Sequence, residues 1–491
     1  MKKHNHRTRQ RLHIRILLTL LSTLALLTVT VLTQIPASAN SAQRYWHGVT
    51  SSGVIISDGD CPIEVEREVL TFDLATLPDT YYSPDDRQGD SFSSYDARVT
   101  AAYTFYNPSD ATVTARLLFP FGTGAGYLYG IDDTQRYDIT VDGQPIQKNV
   151  RHTLNDYGAQ FELERDLGRL HDDYAADSFF RPDQTVTCYT YRVTGVDTET
   201  YRAANIAFDI KDAGGSIRLY WPRMSGLHTR SDGAVRLSAW VDESRELTLY
   251  VIGDTPLLQP DWKCYSNGGV RDKEIIDGTA VFVGETQMTL LELALSERPE
   301  ASPVSDTDWY NAVIAEFNQS TVGESGVISS LPSLDLSNRL MRWYEYDITL
   351  GAGQRIVNTV TAPMYPTIDE GYSPSIYNYT YLLSPAATWR SFGTLEININ
   401  TPYFLLDDTT PAGFTQTDTG YTLRTDRLPD GELTFSLSES QSPERSHYSY
   451  IVNIIVILTV IALIVVAMNV AATIVAVVVC LIITGKKKNK Q

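Results

Sequence analysis

Cysteine is scarce in this chain: four in 491 residues, and one of them, Cys480, lies in an uncharged apolar run. The other three, Cys61, Cys188 and Cys264, are odd in number and widely spaced, which allows one internal bridge at most and excludes a disulfide-stapled scaffold. No Cys-x-x-Cys or His-x-x-x-His pair is present, so a zinc site is not expected. No Gly-x-Ser-x-Gly elbow would expose a nucleophilic serine, and no Gly-x-x-x-x-Gly-Lys-Ser/Thr loop would cradle a nucleotide. Gly323-Glu324-Ser325-Gly326 and Gly122-Thr123-Gly124-Ala125-Gly126 read as plain loops. Positive charge is also short. Once the ten basic residues of the two ends are set aside, residues 40–450 hold 30 basic and all 59 acidic residues, a formal balance of −29. Such a surface repels phosphate backbones and anionic membranes, which excludes nucleic acid as a partner.

The two ends carry the apolar length that the middle lacks. Six basic residues (Lys2, Lys3, Arg7, Arg9, Arg11, Arg15) precede an apolar run, and Ala37-Ser38-Ala39 offers a small-residue cleavage site. Residues 1–39 therefore read as a signal peptide, with an uncleaved anchor as the alternative. At the other end, residues 451–484 are 34 in a row without charge, followed by the basic tail 485–491. About 20 helical residues cross a hydrocarbon core of roughly 30 Å, so this run predicts one transmembrane helix. The lysine tail places the C-terminus in the cytoplasm and the large N-terminal part outside the cell. Ala467 and Ala471 are small residues four apart, and Asn469 is polar at membrane depth. That combination predicts weak self-association through the span.

Between the ends the pattern is mainly β. Val99, Ala101, Tyr103 and Phe105 alternate with polar residues, Asn107-Pro108-Ser109-Asp110 turns the chain, and Val113, Ala115, Leu117 and Phe119 repeat the alternation. This predicts an antiparallel hairpin. Asp142-Gly143 between Tyr137–Val141 and Gln144–Ile146 predicts a second, and Leu428–Gly431 between Tyr421–Thr425 and Glu432–Leu437 a third. Further strands are expected at Thr185–Val193, Ala204–Ile210, Ser216–Trp221, Ala234–Val241, Glu246–Gly253, Thr279–Val283 and Gln287–Leu295. Tyr344–Leu350, Ile356–Thr361, Tyr377–Tyr381 and Leu395–Ile399 continue the series. Two stretches have helical spacing: Tyr310, Val313, Ile314 and Phe317, and again Leu336, Leu340 and Trp343.

The expected fold class is thus mainly β: two antiparallel β-sandwich domains with a small helical insert, plus one C-terminal transmembrane helix. Pro299 and Pro303 mark a linker. The boundaries are 40–300 for the first sandwich region (one or two subdomains), 301–344 for the helical insert, 345–438 for the second sandwich and 439–450 for a stalk.

Tyr103-Thr104-Phe105-Tyr106-Asn107-Pro108, Leu117-Leu118-Phe119-Pro120-Phe121 and Val141-Asp142-Gly143-Gln144-Pro145-Ile146 together resemble the opening of the vault and inter-alpha-trypsin inhibitor type domain. Phe121 stands where that family has Leu after Phe-Pro. Leu382–Ala386 with Trp389, Phe392 and Leu395-Glu396-Ile397 looks like the C-terminal half of exported bacterial proteins with the same Phe-Pro strand end. The resemblance implies an antiparallel β-sandwich and carries over no catalytic residue. The Asp-x-Ser-x-Ser adhesion motif that often accompanies the domain is missing.

Candidate sites are few. Tyr365 and Tyr372, in the Pro- and Gly-rich stretch 363–374, are the expected surface aromatics for a protein or glycan ligand, whereas Tyr377, Tyr379 and Tyr381 are expected in the core. Acidic pairs such as Asp58/Asp60, Asp172-Asp173 and Asp407-Asp408 offer oxygen ligands for structural calcium; no other cofactor is implied. The function expected is a non-enzymatic ectodomain for protein or glycan binding or envelope scaffolding. The alternative is an extracellular hydrolase using a carboxylate pair of the glycosidase type.

Overall fold

The computed structural model describes residues 50–445, apart from 58–59, 79–96, 124–136, 156–161, 211–217, 243–244, 254–258, 268–273, 301, 323–325, 329–335 and 338. The leader 1–39, the span 451–484 with Ala467, Asn469 and Ala471, and the tail 485–491 lie outside the described residues, as does Asp58. No helix among the described residues is long and apolar enough to cross a membrane.

The chain is mainly β, but its strands do not assemble in the expected linear order. An eight-stranded sheet runs Thr415–Thr417, Gly420–Thr425, Phe392–Asn400, Glu64–Asp73, Arg98–Tyr106, Arg355–Pro363, Asp138–Val141, Gln144–Pro145. Two smaller sheets face it. One pairs Ile55–Ile56, Val113–Thr123, Leu340–Leu350 and Asn149–Leu154; the other is built on Ile376–Leu382 and Leu433–Ser438. Leu70, Phe72, Tyr103, Phe105, Leu117, Phe119, Tyr344, Tyr346, Ile397 and Phe435 share the resulting core. This host core therefore joins the beginning and the end of the chain, across the boundary expected near residue 300.

The middle of the chain is an insertion. Leu154 pairs directly with Leu340, and the Asn155 amide donates to the Arg339 carbonyl at 2.9 Å. The chain leaves the host sheet and re-enters it through adjacent strands, so the module between them perturbs the host little. Within it, a six-stranded sheet containing Thr279–Thr289, Thr185–Thr194 and Glu246–Ile252 faces a five-stranded one containing Val235–Trp240 and Asn205–Ile210. Tyr191, Leu249, Val251, Phe208, Leu237 and Trp262 fill the second core.

Two expected connections and two expected elements need correction. Arg98–Tyr106 and Val113–Thr123 lie in different sheets, so Asn107–Asp110 arches between layers instead of closing a hairpin. Gly420–Thr425 and Leu433–Ser438 are likewise split between sheets. Alternation reports one buried face, and a strand in either layer supplies that. Among the described residues three strand pairings are parallel (Glu64–Asp73 with Phe392–Asn400, Thr50–Ser52 with Ile376–Leu382, Arg218–Tyr220 with Val327–Ile328), so the sheets are not purely antiparallel. Leu340–Leu350 is a strand, not a helix: Leu340 and Tyr344 face one side while Met341 and Trp343 fill a separate cluster on the other. A strand buried on both faces reads as a continuous apolar run, which periodicity does not separate from a helix. Gln287–Leu295 is half strand and half helix, because Thr289 and Glu292 form a reciprocal capping box that starts Leu290–Ser296. The Asp142-Gly143 hairpin forms as expected, with φ of 49° and 74° at its two turn residues.

The Asp306–Ser320 helix packs between the two bodies. Its apolar stripe, Tyr310, Val313, Ile314 and Phe317, is buried with Tyr220 and Ile252 of the insertion and with Leu154 and Leu340 of the host. Trp309 is fully buried and donates its indole N–H to the Ala294 carbonyl at 2.8 Å, tying the two helices together.

Candidate functional site

The opposite stripe of this helix is polar. Asp308, Asn311, Ala315 and Asn318 fall at i, i+3, i+7 and i+10 and so share one face. Ser305 caps the helix by accepting from the Asp308 amide at 3.1 Å. Asp308, 2% exposed, accepts from the His152 amide at 2.9 Å and from Arg151 Nε at 3.1 Å. Asn311 accepts from the Ala175 amide at 2.7 Å and donates to the Asp173 carbonyl at 3.0 Å. Asn318 donates to Asp177 at 2.9 Å, and the other Asp177 oxygen accepts from the Phe179 and Phe180 amides at 2.7 and 2.8 Å. The helix thereby clasps residues 171–177 on one side and the Asn149–Leu154 strand on the other.

A cleft of about 170 Å³ opens in this clasp, lined by His152, Arg169, His171, Asp177, Ala312 and Ala315 among others. Beside it runs an ionic chain. Asp172 takes two 2.7 Å hydrogen bonds from Arg116 and one of 3.0 Å from Arg151, while Glu345 accepts from both guanidinia. Arg116, then Arg151, holds the Asp172 carboxyl well below the usual carboxylate range. Burial keeps the His152 imidazole below the usual histidine range, against the pull of Asp308, 3.8 Å from Nδ1.

A second feature lies on the insertion. Val281, Phe282 and Val283 are 51%, 44% and 52% exposed, on a strand that pairs only with Thr185–Thr194 among the described residues. The register shifts between Phe282 and Gly284, so Val283 has no partner position across the ladder. That bulge breaks the alternation and leaves three apolar side chains in succession facing solvent.

The residues singled out in the sequence fall elsewhere. Tyr365 is 2% exposed and belongs to the host core, which overturns its expected surface role. Tyr372 is half-buried, on a short strand opposite Arg445, whose guanidinium lies 5.8 Å from its ring. Tyr379 and Tyr381 are in the core as expected, and Tyr377 packs against it. Asp60 is exposed in a turn. Of the other acidic pairs, Asp172 is engaged by two arginines and Asp408 by the Ser436 hydroxyl. No group of three His, Cys, Asp or Glu side chains converges as a metal site among the described residues. Cys61, Cys188 and Cys264 are buried. Sequence reading passed over the polar face of the Asp306–Ser320 helix, although its spacing of three and four was there to see. It also passed over Val281-Phe282-Val283, whose unbroken apolar run inside a strand was the available signal.

The chain matches no protein-family model and no curated protein. Among solved structures, it is similar at 11% identity and a TM-score of 0.26 to a candidate nutrient-binding protein from Legionella pneumophila, over 79% of this chain and 70% of that one. A TM-score that low carries no argument about fold or ligand.

Proposed function

We propose that this chain is a single-pass cell-surface protein whose exterior part, residues 40–450, binds another protein and catalyses no reaction. The basic leader with its small-residue cleavage site and the uncharged run closed by a lysine tail support that placement. The two pairs of facing layers are read as β-sandwiches, the architecture implied by the likeness to vault and inter-alpha-trypsin inhibitor type domains.

The observation that carries the binding role is the outer edge of Thr279–Thr289, which no described strand covers, with its exposed Val281, Phe282 and Val283. An open edge is a template for a partner strand, and soluble proteins usually guard it with charge or proline. This one bears a single charged residue, Glu285, on a strongly acidic exterior. The partner is therefore an extended, apolar segment flanked by basic residues. The hydrolase alternative gains little: Glu68 has a raised carboxyl pKa but is 1% exposed among core tyrosines, where no substrate reaches it.

Amide hydrogen exchange tests the reading. Residues 279–289 are followed in the native membrane and in the purified chain. A bound partner strand slows their exchange in the membrane by ~10-fold or more. Equal exchange in both settings removes the edge as the binding surface.

A further inference from the structure

We propose that Glu68 and residues 50–56 form a pH-operated latch in the host. While the Glu68 carboxyl keeps its proton, the first strand stays shut over it; once the proton leaves, that strand lifts and lets water reach the charge. The latch depends neither on the exposed edge of the insertion nor on the membrane placement.

The geometry starts at the carboxyl. Glu68 is 1% exposed on the Glu64–Asp73 strand, opposite Tyr103 on one neighbouring strand and Leu395 on the other. Its Oε1 accepts from the Tyr381 hydroxyl at a long 3.5 Å, and its Oε2 has no hydrogen-bond partner among the described residues. Arg67, next in sequence, points to the other face of the sheet, where it pairs with Glu396 at 2.7 Å. The titratable groups that do face Glu68 are the Tyr103 and Tyr381 hydroxyls. Beyond Tyr381 lies Glu432, which accepts from the Leu383 and Ser384 amides. Two neutral hydroxyls and a second acid do not replace the hydration that a carboxylate loses on burial, so the neutral form persists up to about 7.

The first strand lies directly on this cluster. The Val54 amide donates to the Tyr103 hydroxyl at 3.2 Å, and that oxygen is 3.3 Å from the Tyr381 hydroxyl. A Cβ at Gly53 would stand 3.1 Å from the same Tyr103 oxygen, so the backbone passes close over it. The strand is also the least firmly held part of the cover. Thr50–Ser52 pairs only with Thr380–Leu382 among the described residues, and Ile55–Ile56 only with Leu117–Leu118. Between them the hold is the Gly53 amide on the Leu382 carbonyl and the Trp389 indole on the Val54 carbonyl. Glu64–Asp73 and Arg98–Tyr106, by contrast, are paired along nearly their whole length on both edges. Short edge segments open at lower free energy than doubly paired strands, so ionisation of Glu68 is relieved at residues 50–56.

Hydrogen–deuterium exchange of the detergent-solubilised full chain, with each rate divided by its intrinsic value at that pH, reads the latch. Lifting the strand returns Glu68 to the ordinary 4.5, so the seal is complete below 4.5 and is lost as pH rises to about 7. Protection of the amides of residues 53–56 is expected to fall ~100-fold between pH 4.5 and about 8, with residues 98–106 the better protected at every pH. Glu68→Gln, which mimics the protonated acid, should keep residues 53–56 protected throughout. If that variant does not fold, Tyr381→Phe removes the one hydroxyl bonded to Glu68 and should move the loss of protection to higher pH. Protection of residues 53–56 that is constant with pH, their exchange only together with residues 98–106, or a pH dependence left unchanged by either variant overturns the proposal.

Discussion

In the host core Phe72 packs edge-on against Phe435 and Tyr381, at ring distances of 5.2 and 5.8 Å, although both lie more than three hundred residues further along the chain. In the inserted core nearly every partner falls between Tyr189 and Ala280, with Val327 the distant exception. The two bodies use the same layered architecture at very different entropic cost. Local closure lets the insertion assemble early, whereas the host must bring together segments separated by the whole module. They differ in chemistry as well. The host buries an acid, Glu68, whose Oε1 lies 3.5 Å from the Tyr381 hydroxyl, itself 3.3 Å from that of Tyr103. Burial pushes the Glu68 carboxyl up to about 7, against those two hydroxyls. In the sandwich core of the insertion the shifted group is a thiol, Cys264, pushed up to about 11 by the same desolvation.

The largest test of this contrast removes one tryptophan from each body. Trp389 of the host stacks on Phe105 at 4.5 Å and donates to the Val54 carbonyl at 2.9 Å; Trp221 of the insertion packs edge-on against Trp262. Trp389→Ala and Trp221→Ala should each cost ~3–5 kcal/mol. In denaturant melts each variant should shift only the transition of its own body. A joint shift of both transitions would show that the Asp306–Ser320 helix couples them into one cooperative unit. The next effect is acid–base. Between pH 4.5, the ordinary Glu value, and about 7 the folded host holds a proton that the unfolded chain has released. Host stability should therefore fall by ~3 kcal/mol as pH rises through that window and level off above it. Glu68→Gln should flatten the dependence, read as denaturation midpoint against pH. At the junction the sign reverses. Asp172, held low by Arg116 and Arg151, stabilises above its unfolded value and loses that contribution as pH falls, and its exposure makes the effect small and salt-sensitive. The smallest change is Thr289→Ala, which removes the capping box on the insertion side. It should cost ~1 kcal/mol and move only the transition of the insertion.

Much of the β content was legible because alternation is a local property. Thr185–Val193, Glu246–Gly253 and Asp142-Gly143 all lie close to where the residues placed them. What alternation does not encode is the identity of the neighbouring strand. Asn107-Pro108 looks like a hairpin turn, yet the Asn107 side chain donates to the carbonyls of Ala111, Leu350 and Gly351 and so ties one inter-layer arch to another from the far end of the chain. Tyr365 failed as a surface residue for a related reason: a Pro- and Gly-rich stretch is irregular without being exposed, and this one lies against the host core. The cleft was harder still. Asp308 and Asn311 belong to a helix whose apolar stripe was recognised, but the polar stripe gains meaning only from Arg151, His152 and Asp177, which arrive from other segments.

The parallel pairing of Glu64–Asp73 with Phe392–Asn400 sets a delay on the birth of this protein. Arg67 meets Glu396 across 329 residues, and at ~5–20 residues per second a ribosome needs roughly 15–65 s to supply the second strand. Throughout that interval the edge of Glu64–Asp73 that Phe392–Asn400 will occupy stays open. A cell producing this chain is expected to need chaperones that keep that edge from pairing with its neighbours until the last few strands emerge.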